Sequence, residues 1–140
     1  MDYGDNSLLI AMFFIAMRRL RICFLYRLVI QVRLGISGVT TQMYSWRSKS
    51  DGVTSERAAQ IDMVIERGDN TINLCEMKFS EGEFSINKDY EKILRNKIVR
   101  FMEETKTRKS IQLTFISSYG LQRNMYSSIV QNEVVLNDLF

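Results

Sequence analysis

The sequence predicts an α/β fold, in the sense of a mixed (α+β) sheet with helices packed on it. Three observations lead to this prediction. An apolar, helix-patterned segment opens the chain, and three strand-like segments rich in β-branched and aromatic residues follow it. A segment with apolar residues at steps of three and four then precedes a fourth strand-like segment. The order helix, strand, strand, strand, helix, strand indicates a hairpin-built sheet extended through a crossover helix, which makes strand direction mixed.

Residues 1–34 form an N-terminal helical segment that is apolar and basic in character. Two apolar stretches, 7–17 and 22–32, are each predicted to be helical, and Gly35 suits the position just after the second helix. Neither stretch reaches the roughly 20 apolar residues that a membrane-spanning helix needs. The favoured interpretation is a helix packed on the domain, so a membrane is not expected as a partner. A basic helix lying at a membrane surface is the alternative, and the apolar surface also allows self-association.

Residues 35–140 are predicted to form the main domain. Gly68, Asp69 and Asn70 have turn chemistry, and Asn87 is placed to cap the second long helix, over residues 88–106. Strands are predicted over residues 39–47, 58–67, 71–79 and 110–117, with a short final strand over 129–136. The buried stripe of the helix is predicted to be Tyr90, Ile93, Leu94, Ile98, Phe101 and Met102.

Several classes of chemistry are excluded by composition. The chain has no histidine, which excludes a Ser-His-Asp triad and a His-ligated zinc site. Cys23 and Cys75 are far apart and form no CxxC motif, which favours a reducing, cytoplasmic location. No G-x-x-x-x-G-K-[ST] phosphate loop occurs, so this chain alone is not expected to hydrolyse ATP.

The predicted hairpin brings together a set of charged side chains. If Gly68-Asp69-Asn70 is the turn, Arg67 pairs with Thr71 and Asp62 lies directly opposite Glu76. One strand face then collects the predicted core residues Ile61, Met63, Ile65, Cys75, Met77 and Phe79, with Asn73 as the polar member. The other face collects Asp62, Val64, Glu66, Ile72, Leu74, Glu76 and Lys78.

Two carboxylates facing each other suggest a cation site. Directly opposite residues have Cβ atoms about 5 Å apart, where like charges destabilise the sheet. A divalent cation such as Mg²⁺, which takes hard oxygen ligands, offsets that repulsion. Lys78, on the same face, is placed to orient or help deprotonate a metal-bound water. The alternative is a surface cluster in which Lys78 neutralises Asp62 and Glu76, and the hairpin alone favours this alternative.

Asp62, followed thirteen residues later by Glu76-Met77-Lys78, resembles the D…ExK signature of the PD-(D/E)xK nuclease superfamily. The predicted element order also resembles that superfamily's restriction-endonuclease-like core. Residues 34–140, about three quarters of the chain, are similar to the C-terminal module of a family of bacterial AAA-type ATPases. The segments that carry this similarity are LGISGV, YSWRSK, AQIDMVIER, INLCEMKFS, LRNKI, ETKT, SSYGLQRNMYS and IVQNEVVLNDLF.

The resemblance implies a Mg²⁺-dependent (or Mn²⁺-dependent) hydrolase, an endonuclease acting on nucleic acid, with DNA expected as the substrate. It implies that Asp62, Glu76 and the backbone carbonyl of Met77 bind the metal, and that Lys78 positions the attacking water. It further implies an ATPase domain, which this chain lacks and which another chain would supply. We therefore expect a detached C-terminal fragment, in which residues 1–34 are either a native segment or a truncation or frameshift product.

A catalytically inactive module that binds DNA or a partner is the alternative function. Many superfamily members carry a glutamate on the first core helix, whereas residues 6–50 contain no acidic residue. Many basic residues lie on the second long helix and just after it: Lys88, Lys92, Arg95, Lys97, Arg100, Lys106, Arg108 and Lys109. They could contact phosphate groups of a nucleic acid. The favoured interpretation is that they form a solvated face of the helix.

Overall fold

Three α-helices and a five-stranded mixed sheet are seen in the computed structural model, which describes residues 6–18, 24–49 and 59–139. The helices are α1 (Ser7–Arg18), α2 (Phe24–Leu34) and α3 (Lys88–Thr105). The strands are β1 (Thr41–Arg47), β2 (Gln60–Arg67), β3 (Thr71–Lys78), β4 (Ser110–Ser117) and β5 (Asn132–Val135). Short 3₁₀ turns cover Ser127–Ile129 and Leu136–Leu139. Cys23, Ala58 and most of the predicted loop at 48–56 lie outside the described residues.

The five strands lie side by side in sequence order. The first three are antiparallel neighbours, whereas β3, β4 and β5 run parallel to one another. Parallel neighbours cannot be joined by a tight turn, and α3 provides the connection between β3 and β4. The prediction of a mixed sheet with a crossover helix is therefore confirmed.

Both faces of the sheet are buried, which makes the fold a three-layer arrangement. One core cluster joins the N-terminal helices to β2–β5; it contains Ile10, Ile30, Ile36, Met63, Ile65, Cys75, Met77, Ile116, Val134 and Leu136. On the opposite face, Leu94 and Phe101 of α3 pack over strand residues such as Leu74 and Leu113. The second hairpin face, which carries Val64, Ile72 and Leu74, is thus a second core face beneath α3.

The predicted hairpin register is confirmed over four residue pairs, from Glu66–Ile72 to Met63–Cys75. The predicted sheet face of Ile61 is wrong, although Ile61 is buried, and the predicted core position of Phe79 is wrong. Ile61 is buried in the cluster under α3, on the face opposite to Met63 and Ile65, because β2 carries an irregularity before Met63. Phe79 follows the end of β3 and is 51% exposed.

The predicted caps are confirmed by their hydrogen bonds. Gly35 ends α2 with a φ of 70°, and the amides of Gly35 and Ile36 donate to the carbonyls of Val32 and Gln31 at 3.0 and 2.9 Å. This pair of bonds is the Schellman motif. At α3, the Asn87 side chain accepts a hydrogen bond from the Tyr90 amide at 2.8 Å.

Among the described residues, no helix has both the length and the apolar character that crossing a membrane requires.

The buried stripe of α3 is narrower than predicted. Ile93 and Met102 are 51% and 44% exposed, so their assignment to the core is wrong. The apolar residues of α3 that pack against the sheet are Tyr90, Leu94, Ile98 and Phe101. The ring of Phe101 meets Trp46 of β1 edge-on, with ring centroids 5.2 Å apart. The Trp46 ring is therefore part of the packing between β1 and α3.

Phe101 provides a test of this docking. We expect Phe101→Ala to lower the free energy of unfolding by about 3–5 kcal/mol, because it leaves a cavity between α3 and β1. Val99→Ala, at an exposed position of the same helix, is the matched control and should change stability by less than about 0.5 kcal/mol. Urea unfolding of both variants measures the difference, and similar losses in the two variants would contradict the described packing.

Candidate functional site

Asp62 lies at the end of the β2–β3 ladder, where its carboxylate bonds the neighbouring strand. The Met77 amide donates to Oδ2 of Asp62 at 2.9 Å. The paired residues of the hairpin end one step earlier, at Met63–Cys75, so Asp62 and Glu76 are not a ladder pair as predicted. A side chain of β2 therefore bonds directly to the segment Glu76-Met77-Lys78 of β3.

An irregularity in β2 explains the position of Asp62. Tyr44 pairs with Val64 and Trp46 pairs with Ile61, so one β1 residue, Ser45, faces the two β2 residues between them. An extra residue of this kind is a β-bulge, which bends the strand and re-aims a side chain. The bulge moves Ile61 onto the face under α3 and separates Asp62 from the regular ladder.

Glu76 of β3 is almost completely buried, with its side chain only 3% exposed. Lys97 of α3 donates from Nζ to both carboxylate oxygens, at 3.1 Å to Oε1 and 3.0 Å to Oε2. The Tyr90 hydroxyl also donates to Oε2, at 3.4 Å. The carboxylate is therefore held by two side chains from the helix above it.

Burial raises the pKa of Glu76 above its usual range, because the ionised carboxylate loses hydration. The charge of Lys97 opposes this shift, the charge of Asp62 adds to it, and Lys78 opposes it more weakly. Burial and the two nearby carboxylates also raise the pKa of the Tyr90 hydroxyl, which keeps that group protonated and able to donate. Asp62, Glu76, Lys78 and Lys97 thus form one electrostatic cluster of two acids and two ammonium groups.

Lys78 stands beside aromatic rings. Its Nζ lies 4.9 Å from the ring centroid of Tyr90 and 5.8 Å from that of Phe84, which are cation–π distances. The two rings meet edge-on with centroids 5.6 Å apart. Tyr90 therefore contacts Glu76 through its hydroxyl and Lys78 through its ring, which restricts where both charged groups can lie.

Lys97 and Tyr90 were not predicted as site residues. Lys97 was assigned to a solvated helix face, and this assignment is wrong, because its side chain is only 20% exposed and its ammonium is bonded to Glu76. A signal was present in the sequence. Lys97 lies seven residues after Tyr90 and four before Phe101, so it falls on the buried stripe rather than beside it.

The donor chemistry of the site fits a small hard cation. Mg²⁺ is usually held by one or two carboxylates, with water and substrate phosphate completing its coordination. Asp62 and Glu76 provide two carboxylates, and the Met77 carbonyl faces the same side of β3 as the Met77 amide that bonds Asp62. Within the described residues, no group of three or more His, Cys, Asp or Glu side chains is arranged to bind a metal.

Comparison with known proteins assigns no family to the chain. No family model matches it, and no curated protein matches it. Among solved structures, the crystal structure of AF1548, a protein of unknown function, is similar with a TM-score of 0.49 and 14% sequence identity. The similarity covers 76% of this chain and 53% of that one, so the chain spans about half the length of AF1548.

The raised pKa of Glu76 predicts a pH dependence of stability. The folded state keeps the Glu76 proton to a higher pH than the unfolded chain does. Ionisation of Glu76 therefore lowers the free energy of unfolding, from about pH 4.3, the ordinary glutamate value, up through the raised pKa. Glu76→Gln removes this cost, so wild-type stability minus variant stability should fall as pH rises across that window.

Urea unfolding at a series of pH values measures this difference. Glu103→Gln, at an exposed position of α3, is the matched control for the loss of one carboxylate outside the buried cluster. A Glu76→Gln difference that rises with pH would instead mean that the ionised carboxylate stabilises the folded chain.

Proposed function

We propose that this chain is a Mg²⁺-dependent or Mn²⁺-dependent nucleic-acid phosphodiesterase domain with a restriction-endonuclease-like, PD-(D/E)xK core. The observation that carries the proposal is the hydrogen bond from the Met77 amide to Asp62. Through this bond an aspartate of one strand meets a Glu-Met-Lys segment of the next, which supports the resemblance to the D…ExK signature. The three-layer fold, with helices on both faces of a mixed sheet, is compatible with that core.

Each site residue has a proposed role that follows from its chemistry. Asp62, Glu76 and the Met77 carbonyl would hold the metal, which when bound supplies a Lewis acid for the phosphate and lowers the pKa of a bound water. Lys78 orients the attacking water, and its ammonium is steadied by the rings of Tyr90 and Phe84. Tyr90 keeps Glu76 and Lys78 in fixed relative positions.

The proposed substrate is DNA. Two exposed basic residues of α3, Lys88 and Arg95, provide phosphate contacts near the helix end that borders the site. An AAA-type ATPase on another chain is the proposed protein partner, and a cytoplasmic location belongs to the same proposal.

A second candidate function is a metal-free module that binds DNA or a protein partner without cleavage. It is favoured by the ammonium of Lys97, which already neutralises Glu76 through bonds to both of its oxygens. It is also favoured by the lack of any acidic residue between positions 6 and 50, where a further metal-binding glutamate would be expected.

Two measurements, DNA cleavage and the stabilisation by metal, separate the proposed role of Asp62 from that of Lys78. We expect the wild type to cut DNA in Mg²⁺ or Mn²⁺ and to gain about 2.7 kcal/mol of stability when metal exceeds its dissociation constant a hundredfold. Asp62→Asn should abolish both effects, although its side-chain oxygen can still accept from the Met77 amide. Lys78→Met should lower the cleavage rate by about 10²–10⁴-fold and keep the metal-dependent stabilisation.

Glu103→Gln is the control for loss of one carboxylate away from the site and should behave as the wild type. Cleavage that survives in Asp62→Asn contradicts the proposed nuclease. The second candidate predicts a different result. The protein would bind DNA in EDTA with an affinity that falls steeply with salt and is unchanged in Asp62→Asn, and it would not cut DNA in Mg²⁺ or Mn²⁺.

A further inference from the structure

The contact between Lys97 and Glu76 has the geometry of a cation bound by a carboxylate. The ammonium lies 3.1 and 3.0 Å from the two oxygens, so it is shared between them rather than placed on one. Glu76 is almost fully buried, and its carboxylate accepts one further side-chain hydrogen bond from the described residues, the longer one from Tyr90. Little water can therefore reach the Glu76 carboxylate to stabilise its negative charge, and Lys97 is its main counter-charge.

Lys97 can also leave this position without a movement of α3. The helix is anchored to the sheet by Leu94 and Phe101, on either side of Lys97 along the same stripe. The lysine side chain has four flexible methylene groups and a strongly hydrated head group. The Lys97 side chain is 20% exposed, so it lies at the edge of the buried cluster, where rotation about its own bonds would bring the ammonium to solvent.

We propose that Lys97 is an internal counter-cation that competes with the divalent metal for Glu76. This inference rests on the proposed function, because it assumes that Asp62 and Glu76 form the metal site. A lysine ammonium and a divalent cation on the same buried carboxylate repel each other within a few ångströms, and this repulsion is strong where water is excluded. Binding of the metal therefore requires release of Lys97, and the lysine sets the metal concentration at which the site is loaded.

Competition has a measurable consequence in the metal affinity. If Lys97 and the metal exclude each other, removing the ammonium must tighten metal binding. Coupling between two such sites usually amounts to roughly 5- to 150-fold in affinity, and we expect a gain in this range for Lys97→Met. The methionine keeps most of the side-chain stem, so packing beside Leu94 and Phe101 is preserved.

Calorimetric titration of Mg²⁺ and Mn²⁺ measures this affinity directly. Metal-dependent shifts in thermal unfolding are the second readout, and neither requires activity. Lys92→Met is the matched control, since Lys92 is an exposed lysine of the same helix; it should bind metal as the wild type does. Tyr90→Phe removes an uncharged donor to Glu76 and should have a much smaller effect than Lys97→Met.

Lys97→Gln is the second variant in case Lys97→Met does not fold. Its amide can still donate to Glu76 but carries no charge, so it should also tighten metal binding. Tighter binding in either Lys97 variant, with Lys92→Met unchanged, supports the inference. Tighter binding in a Lys97 variant when the wild type binds no metal also supports it, and then rejects the proposed metal-dependent function for this chain.

Equal metal affinity in the wild type and both Lys97 variants overturns the inference and leaves the proposed function standing. Absence of metal binding in the wild type and in both variants overturns the inference and the proposed function together. The wild-type titration thus tests the metal site, and the difference between proteins tests the role of Lys97.

Discussion

The parallel pairing of β3 with β4 determines how the candidate site is assembled. Parallel strands require the chain to cross one face of the sheet before it returns, and α3 makes that crossing. Glu76 and Lys78 lie at the end of β3 that leads into the crossover, on the face that α3 covers. The helix that connects β3 to β4 therefore also brings Tyr90 and Lys97 into contact with these two side chains.

Stability alone gives a poor account of this cluster. A buried ion pair usually contributes little net stability, because desolvation of both charges offsets their attraction. The neighbouring positions on the same face, Leu74 and Ile72, show that apolar side chains pack well beneath α3. We therefore propose that the acid at position 76 and the lysine at position 97 serve chemistry at the strand end rather than packing. The bulge that separates Asp62 from the ladder adds to this view, because bulges often re-aim side chains beside functional sites.

Local patterns in the sequence were sufficient to predict the strands, the caps and the hairpin register. The turn at Gly68-Asp69-Asn70 and the alternation of side chains leave one register that sorts the apolar residues. This is why Asp62, Glu76 and Lys78 could be grouped before the structure was known. The bulge could not be predicted, since a single extra residue in β2 has no compositional sign. Ile61 was consequently placed on the wrong face, and Asp62 was placed in a ladder pair with Glu76.

The contribution of α3 to the site depends on tertiary structure. Helical periodicity shows that one stripe is buried, but not how wide the contact is, and so Ile93 and Met102 were included wrongly. A lysine within a mixed-charge helix is usually solvated. Only the position of Glu76 beneath the helix shows that Lys97 has a buried partner, and that position follows from the β3–α3–β4 connection.

The contact between Trp46 and Phe101 gives the chain a built-in optical probe. Trp46 is the single tryptophan of the sequence, and its ring packs on the helix one turn beyond Lys97. Its fluorescence emission therefore reports whether α3 is docked on the sheet, without any added label. Rotation of the Lys97 side chain leaves that contact intact, whereas undocking of the helix exposes the indole ring to water and shifts its emission to longer wavelength.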